Sequence, residues 1–210
     1  MQRRAFLRLA LAGVTAGVPI SACSPTQRSR RRILLAYFSR PGENYYYGGR
    51  RNLSVGNTEV LARMISARLD CEVHRIDAVD RYPANYEATV QRNVREQQTD
   101  ARPAIANPLA SIAQYDTILL ASPIWNVRAP MIMTTFVEDH DFSGKIVHPV
   151  TTYAMSGLGT TVDDYAQSCR GARIGTGLAV RGEETRSADR EVDSWLRRTG
   201  LLDGRARTGE

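Results

Sequence analysis

The chain has 210 residues, of which 42% are hydrophobic and 24% are charged, so it holds enough apolar material for one soluble domain and not for two. Its formal net charge is +6, but residues 1–22 hold three arginines and residues 24–32 hold four more, which leaves −1 for the rest. A near-neutral domain without a basic, aromatic-rich face argues against nucleic acid as a partner.

The cysteines and histidines give no sign of a metal site. The three histidines lack the spacing of metal ligands, and no CxxC pair occurs. Cys71 and Cys169 are expected to be buried as small apolar residues, with a disulfide between them as the alternative.

The first 22 residues have the features of an export signal. Arg3 and Arg4 precede an apolar run, Leu9–Ile20, that is too short to span a membrane as a helix. The segment Gln2–Arg8 resembles the twin-arginine export motif, whose machinery carries proteins that are already folded. The resemblance implies export by that route, which suits a protein that takes up its cofactor in the cytoplasm.

A cysteine follows this signal directly. Residues 20–23, Ile-Ser-Ala-Cys, resemble a bacterial lipobox, in which Cys23 is lipidated and becomes the mature N-terminus. An uncleaved hydrophobic anchor and a plain secreted form are the alternatives. Residues 23–32 then form a basic tether that can rest against anionic lipid headgroups. We therefore expect a protein of the periplasm or cell envelope that a lipid anchors to the membrane.

Residues 33–202 alternate between short apolar runs and longer amphipathic runs. Several of the short runs lack a polar face, which indicates strands that are covered on both sides. The five predicted strands are 33–38, 72–76, 116–122, 145–152 and 172–177. The five predicted helices are 57–69, 86–97, 129–137, 161–168 and 187–199. This order predicts a three-layer α/β/α sandwich with a parallel sheet, followed by a flexible tail at residues 203–210.

Ligands of an open parallel sheet bind beyond the carboxyl ends of its strands, so the loops after the first, third and fourth strands form the candidate site. Ser39 and Arg40 follow the first strand. After a long inserted segment, Gly56, Asn57 and Thr58 lie at the start of a predicted helix. Hydroxyls and unpaired N–H groups at a helix N-terminus favour an anion, which predicts a phosphate cradle. An N-cap without a ligand is the alternative.

The loops after the third and fourth strands offer a flat aromatic surface and backbone groups that can approach a ligand closely. Candidate contacts after the third strand are Ser122, Pro123, Ile124, Trp125 and Asn126. Candidate contacts after the fourth strand are Ala154, Met155, Ser156 and Gly157. The Trp125 ring can stack on a conjugated ring, and small residues let peptide groups reach its edge. Phosphate cradle, stacking platform and edge contacts together predict FMN as the ligand.

Short motifs spread in order from Arg32 to about Leu201 resemble the flavodoxin family, in particular its bacterial flavodoxin-like group with Tyr-Phe-Ser after the first strand. These motifs are Ala36–Ser39, Gly56–Thr58, Tyr82–Pro83, Ala101–Pro103, Pro123–Trp125, Asp141–Lys145 and Ser156–Gly159. The resemblance implies a five-stranded parallel sheet of order 2-1-3-4-5 and non-covalent FMN. In this chain, Val55 stands where the family's phosphate loop has a hydroxyl.

An insertion at residues 41–54 interrupts the phosphate loop and carries three consecutive tyrosines and two consecutive glycines. It is expected to fold over the cofactor as a lid or to present a docking surface, with a mobile surface loop as the alternative. Four arginines also make the rim of the site basic, which predicts an acidic patch on any partner. They are Arg40, Arg50, Arg51 and Arg128.

These features favour an exported electron carrier that binds FMN and serves a redox partner protein or a small acceptor at the membrane. No catalytic acid, base or nucleophile is predicted. One alternative is an FMN-dependent NAD(P)H or quinone oxidoreductase. The other is a flavin-free binding lipoprotein, because a fold by itself does not determine a function.

Overall fold

The structure is a computed structural model and describes residues 32–202. The predicted signal at residues 1–22, Cys23, nearly all of the tether and the tail at residues 203–210 lie outside the described residues. Within the described range, no helix is both long and apolar enough to cross a membrane.

Strands and helices alternate along the described chain. The strands are β1 (Ile33–Tyr37), β2 (Gly42–Tyr46), β3 (Gly49–Leu53), β4 (Glu72–Arg75), β5 (Thr117–Pro123), β6 (Ile146–Tyr153), β7 (Arg173–Ile174) and β8 (Leu178–Arg181). The helices are α1 (Asn57–Ser66), α2 (Tyr86–Gln98), α3 (Met131–Glu138), α4 (Thr161–Ser168), a 3₁₀ helix (Gly182–Ser187) and α5 (Asp189–Arg198).

Six of these strands form one parallel sheet. Its order is β4-β1-β5-β6, and both β7 and β8 pair with the outer side of β6. At its centre Leu35 of β1 is aligned with Val73 of β4 and with Leu119 of β5. When β7 and β8 are counted as one broken strand, this is the predicted order 2-1-3-4-5. The predicted α/β/α fold is therefore confirmed.

Both faces of the sheet are buried, as the unbroken apolar runs predict. Successive residues of a strand point to opposite faces, so Leu34 packs in one core with Ile132 of α3. Leu35 packs in the other core with Leu61 of α1 and Trp195 of α5. Because both faces are covered, the edge at the strand ends is the part of the sheet left for a ligand.

The predicted fifth strand, residues 172–177, is wrong in its bounds. It breaks into β7 and β8 because the Thr176 carbonyl bonds to side chains instead of a strand. That oxygen accepts a hydrogen bond from Trp195 Nε1 at 2.9 Å and lies 3.0 Å from His148 Nδ1. The His148 ring also fills the space beside Gly175, where a Cβ would lie 2.7 Å from Nδ1.

The insertion at residues 41–54 is a two-stranded antiparallel hairpin rather than an irregular loop. β2 and β3 are aligned so that Tyr45 faces Arg50. Tyr47 and Gly48 turn between them with φ values of 44° and 87°. Two successive residues with positive φ make a turn whose twist matches that of a hairpin. This segment, β2 with β3, is called the hairpin below.

Cys71 and Cys169 are both free thiols in the structure. Cys169 is buried and Cys71 half-buried, in accord with the expected burial. Desolvation raises the pKa of the Cys71 thiol to about 11 and that of the Cys169 thiol to about 12. Both thiols therefore stay protonated at neutral pH, and neither is a reactive thiolate.

We expect Trp195→Ala to lower the free energy of unfolding by about 3–5 kcal/mol, because it leaves a cavity under the sheet and removes a donor to Thr176. Urea unfolding followed by circular dichroism measures this change. Arg190→Ala, on the exposed side of the same helix, is the control and should change stability by less than about 0.5 kcal/mol. Equal effects of the two substitutions would contradict this account of the core.

Candidate functional site

A cleft opens at the carboxyl edge of the sheet, beside the point where the strand order reverses. From β1 the chain passes to β4 on one side, while β5 lies on the other side. In open α/β sheets this is the position at which ligands bind. The loops after β1, β5 and β6, the start of α1, the hairpin and the 3₁₀ helix line the cleft, whose volume is about 90 Å³.

Eight of the fourteen predicted cofactor contacts line this cleft, and they come from all three predicted loops. They are Ser39, Arg40, Asn57, Thr58, Pro123, Ile124, Trp125 and Ala154. The structure thus brings together residues that lie up to 115 positions apart in the chain.

Six predicted contacts do not line the cleft: Gly56, Ser122, Asn126, Met155, Ser156 and Gly157. Gly56 and Ser122 lie buried behind its wall. Asn126 donates from its side chain to Gln97 Oε1, and Met155 is 76% exposed. The Gly157 carbonyl accepts from the Thr151 hydroxyl at 3.0 Å. Their contact with a ligand stays a prediction.

The start of α1 forms one wall of the cleft. Its N-cap is Gly56, which has no side chain to cap the helix. The Ser39 hydroxyl instead accepts from the Glu59 N–H at 3.0 Å, which satisfies one first-turn donor. The N–H groups of Asn57 and Thr58 have no acceptor within the described part of the chain. Two donors at the positive end of the helix are therefore available to an anion.

Glycine is required at position 56 because the loop after β1 crosses it closely. A Cβ there would lie 2.5 Å from the Arg40 carbonyl oxygen and would also collide with the Ser39 hydroxyl. The neighbouring Thr58 hydroxyl forms a hydrogen bond of 2.7 Å with the Thr152 hydroxyl of β6. These contacts fix α1 against both the β1 loop and the sheet.

Arg40 is a buried cation in the lining of the cleft, with only 7% of its surface exposed. Its guanidinium donates to four backbone carbonyls, those of Pro41, Glu43, Pro83 and Ala84. Burial lowers the pKa of the guanidinium, but an arginine stays charged at neutral pH. Its Nε–H is buried and has no partner among the described residues. A buried donor of this kind fits an anionic ligand, which would complete its hydrogen bonding.

Trp125 is half-buried in an aromatic cluster at the other end of the cleft. Its ring meets Phe38 edge-on at 5.6 Å between centroids and Tyr82 at 5.1 Å. These contacts hold the indole ring in place without covering it completely. It can therefore serve as a flat wall for a conjugated ligand.

The turn after Trp125 is strained. Trp125 and Arg128 exchange two backbone hydrogen bonds, of 2.9 and 3.4 Å. Between them Asn126 and Val127 have φ values of 49° and 64°. Asparagine tolerates positive φ, but a β-branched residue does so at a cost.

The same turn joins the β5 loop to the β6 loop. The Val127 carbonyl accepts a hydrogen bond of 2.8 Å from the Thr160 N–H. Gly159 lies so close that a Cβ there would be 2.8 Å from the Val127 carbonyl carbon. The strained turn therefore positions both loops that would contact a flat ligand.

The positive charge of the rim is largely compensated. The Arg40 guanidinium is buried, and Arg50 lies 3.2 Å from the Glu87 carboxylate. Arg128 lies 3.6 Å from Asp164. Of the four arginines expected to attract an acidic partner, Arg40 and Arg51 have no ion pair within the described residues, and of these two only Arg51 is exposed. The basic rim is thus weaker than the sequence suggests.

Seven residues that line the cleft are not among the predicted contacts: Asn44, Tyr45, Tyr86, Thr152, Tyr153, Gly182 and Glu183. Thr152 and Tyr153 end β6, and Gly182 and Glu183 follow β8, so inspection of every strand end would have found them. Asn44 and Tyr45 reach the cleft only because the insertion folds back as a hairpin. The sequence predicted a lid or a docking surface for this insertion, but it does not indicate which of its residues reach the cleft.

The fold and the cleft define a doubly wound α/β domain with a ligand site at its topological switch point. Residues 51–199 match the sequence profile of the flavodoxin family. The chain belongs to the flavodoxin family. A search of curated proteins gave no match to the chain.

Solved structures of similar fold include two from Bacteroides. A candidate flavoprotein of Bacteroides eggerthii is 24% identical, with a TM-score of 0.66 over 82% of this chain and 100% of that one. A candidate flavoprotein of Bacteroides uniformis is 26% identical, with a TM-score of 0.63 over 80% and 99%. A flavoprotein of Lactobacillus acidophilus solved in complex with FMN is 18% identical, with a TM-score of 0.56 over 79% and 99%. These similarities support the fold.

We expect Val127→Gly to raise the free energy of unfolding by about 0.5–1 kcal/mol. Glycine removes the cost of positive φ, which exceeds the added flexibility of the unfolded chain. Urea unfolding measures the change. Val79→Gly is the control, because Val79 is similarly exposed but has negative φ, and this substitution should destabilise the protein. A loss of stability in Val127→Gly would show that the turn carries no strain.

Proposed function

We propose that this chain binds FMN non-covalently in the cleft and carries electrons between redox partners. The observation that carries the proposal is that one cleft is lined both by the open end of α1 and by Arg40, a buried cation whose Nε–H has no partner among the described residues. A dianionic phosphate satisfies both kinds of donor at once. Family membership and the FMN complex of the Lactobacillus acidophilus flavoprotein support the same ligand.

The remaining walls suit a flat aromatic ring. Trp125 and Ile124 would hold one face, and the backbone at Thr152–Ala154 would address the ring edge. FMN, when bound, would supply the electron-transfer chemistry, while the protein orients it and excludes water. The described cleft of about 90 Å³ is smaller than the roughly 300–1,000 Å³ of small-molecule sites, so its walls must separate to admit the ring.

The polar groups of the cleft favour a carrier over an enzyme. Within the described lining, Glu183 is the one carboxylate, and it accepts a hydrogen bond from the Tyr47 N–H at 3.0 Å. No histidine or cysteine accompanies it there. General acid–base catalysis needs a positioned donor or acceptor of protons near the reacting atoms. An electron carrier needs no such group, because its cofactor holds the reactive atoms.

We propose further that the protein is exported through the twin-arginine route and anchored by a lipid on Cys23. The motif at residues 2–8 and the lipobox-like sequence at residues 20–23 support this proposal. The partner would then be a redox protein or a small acceptor of the cell envelope.

We expect the full chain to bind FMN more tightly than riboflavin, because riboflavin lacks the phosphate. Arg40→Lys should weaken FMN binding about 10- to 100-fold more than riboflavin binding. Both ligands are affected by the loss of the hydrogen bonds to backbone carbonyls that order the cleft, but only FMN also loses a charge-assisted hydrogen bond to its phosphate, which contributes about 1.5–3 kcal/mol. Quenching of flavin fluorescence measures both affinities.

Arg51→Lys is the matched control for this experiment, because Arg51 lies on the exposed strand of the hairpin and not in the cleft. It should change neither affinity. The proposal would be refuted if the wild-type protein, after addition of FMN and removal of the unbound FMN, showed no flavin absorption. Equal losses of FMN and riboflavin in Arg40→Lys would refute the phosphate contact alone.

We expect Cys23→Ser to abolish incorporation of labelled fatty acid and to move the protein from the membrane fraction to the soluble fraction. The reason is that Cys23 would be the site of acylation. Cys71→Ser serves as the control and should keep both properties. Labelling that survives Cys23→Ser would exclude the lipobox.

A further inference from the structure

The hairpin crosses the cleft, and its first strand forms part of the wall. Asn44 and Tyr45 of β2 line the cleft together with Tyr86 at the start of α2. Across the opening lies the 3₁₀ helix, whose Gly182 and Glu183 complete the lining. A ligand seated in the cleft would therefore lie beneath the hairpin.

The base of the hairpin is firmly attached to the segment before α2. The Glu43 N–H donates to the Ala84 carbonyl at 2.8 Å. The Glu43 carboxylate accepts from the Asn85 side chain at 2.8 Å and from the Tyr86 N–H at 3.0 Å. Gly42 lies so close that a Cβ would be 2.6 Å from the Ala84 carbonyl oxygen. The buried guanidinium of Arg40 bonds to the same segment, so the base cannot move alone.

The tip of the hairpin is attached more weakly and on the opposite side of the cleft. The Tyr47 N–H donates to Glu183 Oε1 at 3.0 Å, and this bond is exposed to solvent. The Tyr47 side chain is 59% exposed and contributes little packing. Exposed hydrogen bonds of this kind contribute little net stability, so the bond can break and re-form readily.

The second strand of the hairpin, β3, is attached to α2 and not to the 3₁₀ helix. The Arg50 guanidinium lies 3.6 Å from the centroid of the Tyr86 ring and 3.2 Å from the Glu87 carboxylate. These contacts of Arg50 lie on the same side of the cleft as the base of the hairpin, so they do not prevent the tip from moving away from the 3₁₀ helix. The hydrogen bond from Tyr47 to Glu183, in contrast, spans the opening. Separation of the Tyr47 amide from Glu183 is therefore the change that widens the cleft.

A cleft of about 90 Å³ needs such a change to admit a flavin. The other walls are the loops after β1, β5 and β6, the starts of α1 and α2 and the 3₁₀ helix, each of which directly follows a strand of the sheet or belongs to an element packed on it. We propose that the hairpin is a cover for the cofactor, that Asn44 and Tyr45 contact the bound FMN, and that the Glu183–Tyr47 hydrogen bond is the latch that sets the rates of FMN entry and release. This inference rests on the proposed function for the identity of the ligand.

The test compares Glu183→Ala with Glu184→Ala in the full chain. Glu184 is the neighbouring carboxylate, is exposed and does not line the cleft. Hydrogen–deuterium exchange at residues 42–53 reports opening of the hairpin without any ligand. We expect exchange about two- to tenfold faster in Glu183→Ala, in line with the loss of one exposed hydrogen bond, and no change in Glu184→Ala.

Stopped-flow mixing of the FMN-free chain with FMN measures the second consequence. Both the association and the dissociation rate constants should rise about two- to tenfold in Glu183→Ala and stay unchanged in Glu184→Ala. Tyr45→Ala should accelerate dissociation because it removes a contact with the ligand. Tyr47→Ala keeps the backbone donor and should leave dissociation near the wild-type rate.

The outcomes separate this inference from the proposed function. Unchanged exchange in Glu183→Ala overturns the latch, whether or not the chain binds flavin. Faster exchange with unchanged FMN rate constants overturns control of the cofactor by the hairpin. A wild-type chain that takes up no FMN overturns the proposed function and the cofactor part of this inference, and the exchange result then decides the latch on its own.

Discussion

The cleft depends on a buried guanidinium. Arg40 follows β1 directly and binds backbone carbonyls in two further segments, the base of the hairpin and the residues before α2. Without it these carbonyls would lose the donor that they share, and the base of the hairpin would be held to the residues before α2 by the contacts of Glu43 alone. The same side chain keeps a buried N–H without a partner among the described residues. One side chain thus orders the cleft and retains one unused donor, which by our proposal binds an anion. Burial of a cation costs free energy unless the cation is hydrogen-bonded, and the backbone carbonyls around Arg40 provide most of these bonds.

A second constraint acts at the far end of the cleft. Val127 adopts positive φ, and its carbonyl is the acceptor that ties the β5 loop to the β6 loop. Relaxation of the turn would turn this carbonyl away and separate the two loops beside Trp125. Strained backbone of this kind persists only where the surrounding contacts determine it, and such positions cluster at functional sites. The cleft is therefore rigid at the Trp125 end and, by our inference, adjustable at the hairpin.

The central strands were predictable and the edge of the sheet was not. β1 and β5 lie within one or two residues of their predicted bounds. Both strands are covered on both faces, so their sequences are continuous apolar runs with clear ends. The fifth strand is short and half-exposed, and its break follows from contacts of Thr176 with Trp195 and His148. The three site-forming loops were predicted because parallel strands deliver their carboxyl ends to one edge. Their individual contacts were predicted less well, since Met155 points to solvent and Tyr45 enters from an insertion.

The sequence by itself determined the layers of the fold, the edge of the sheet at which the cleft opens and the residue types there that suit a phosphate and a flat ring. These properties follow from periodicity, strand burial and the donors of a helix start, all of which are local. Only the tertiary structure decided that Arg40 is buried among carbonyls, that the insertion crosses the cleft and that Glu183 meets its tip. Such contacts join segments that are distant in the chain, 44 residues apart for Arg40 and Ala84 and 136 apart for Tyr47 and Glu183, and no local pattern encodes which distant groups become neighbours.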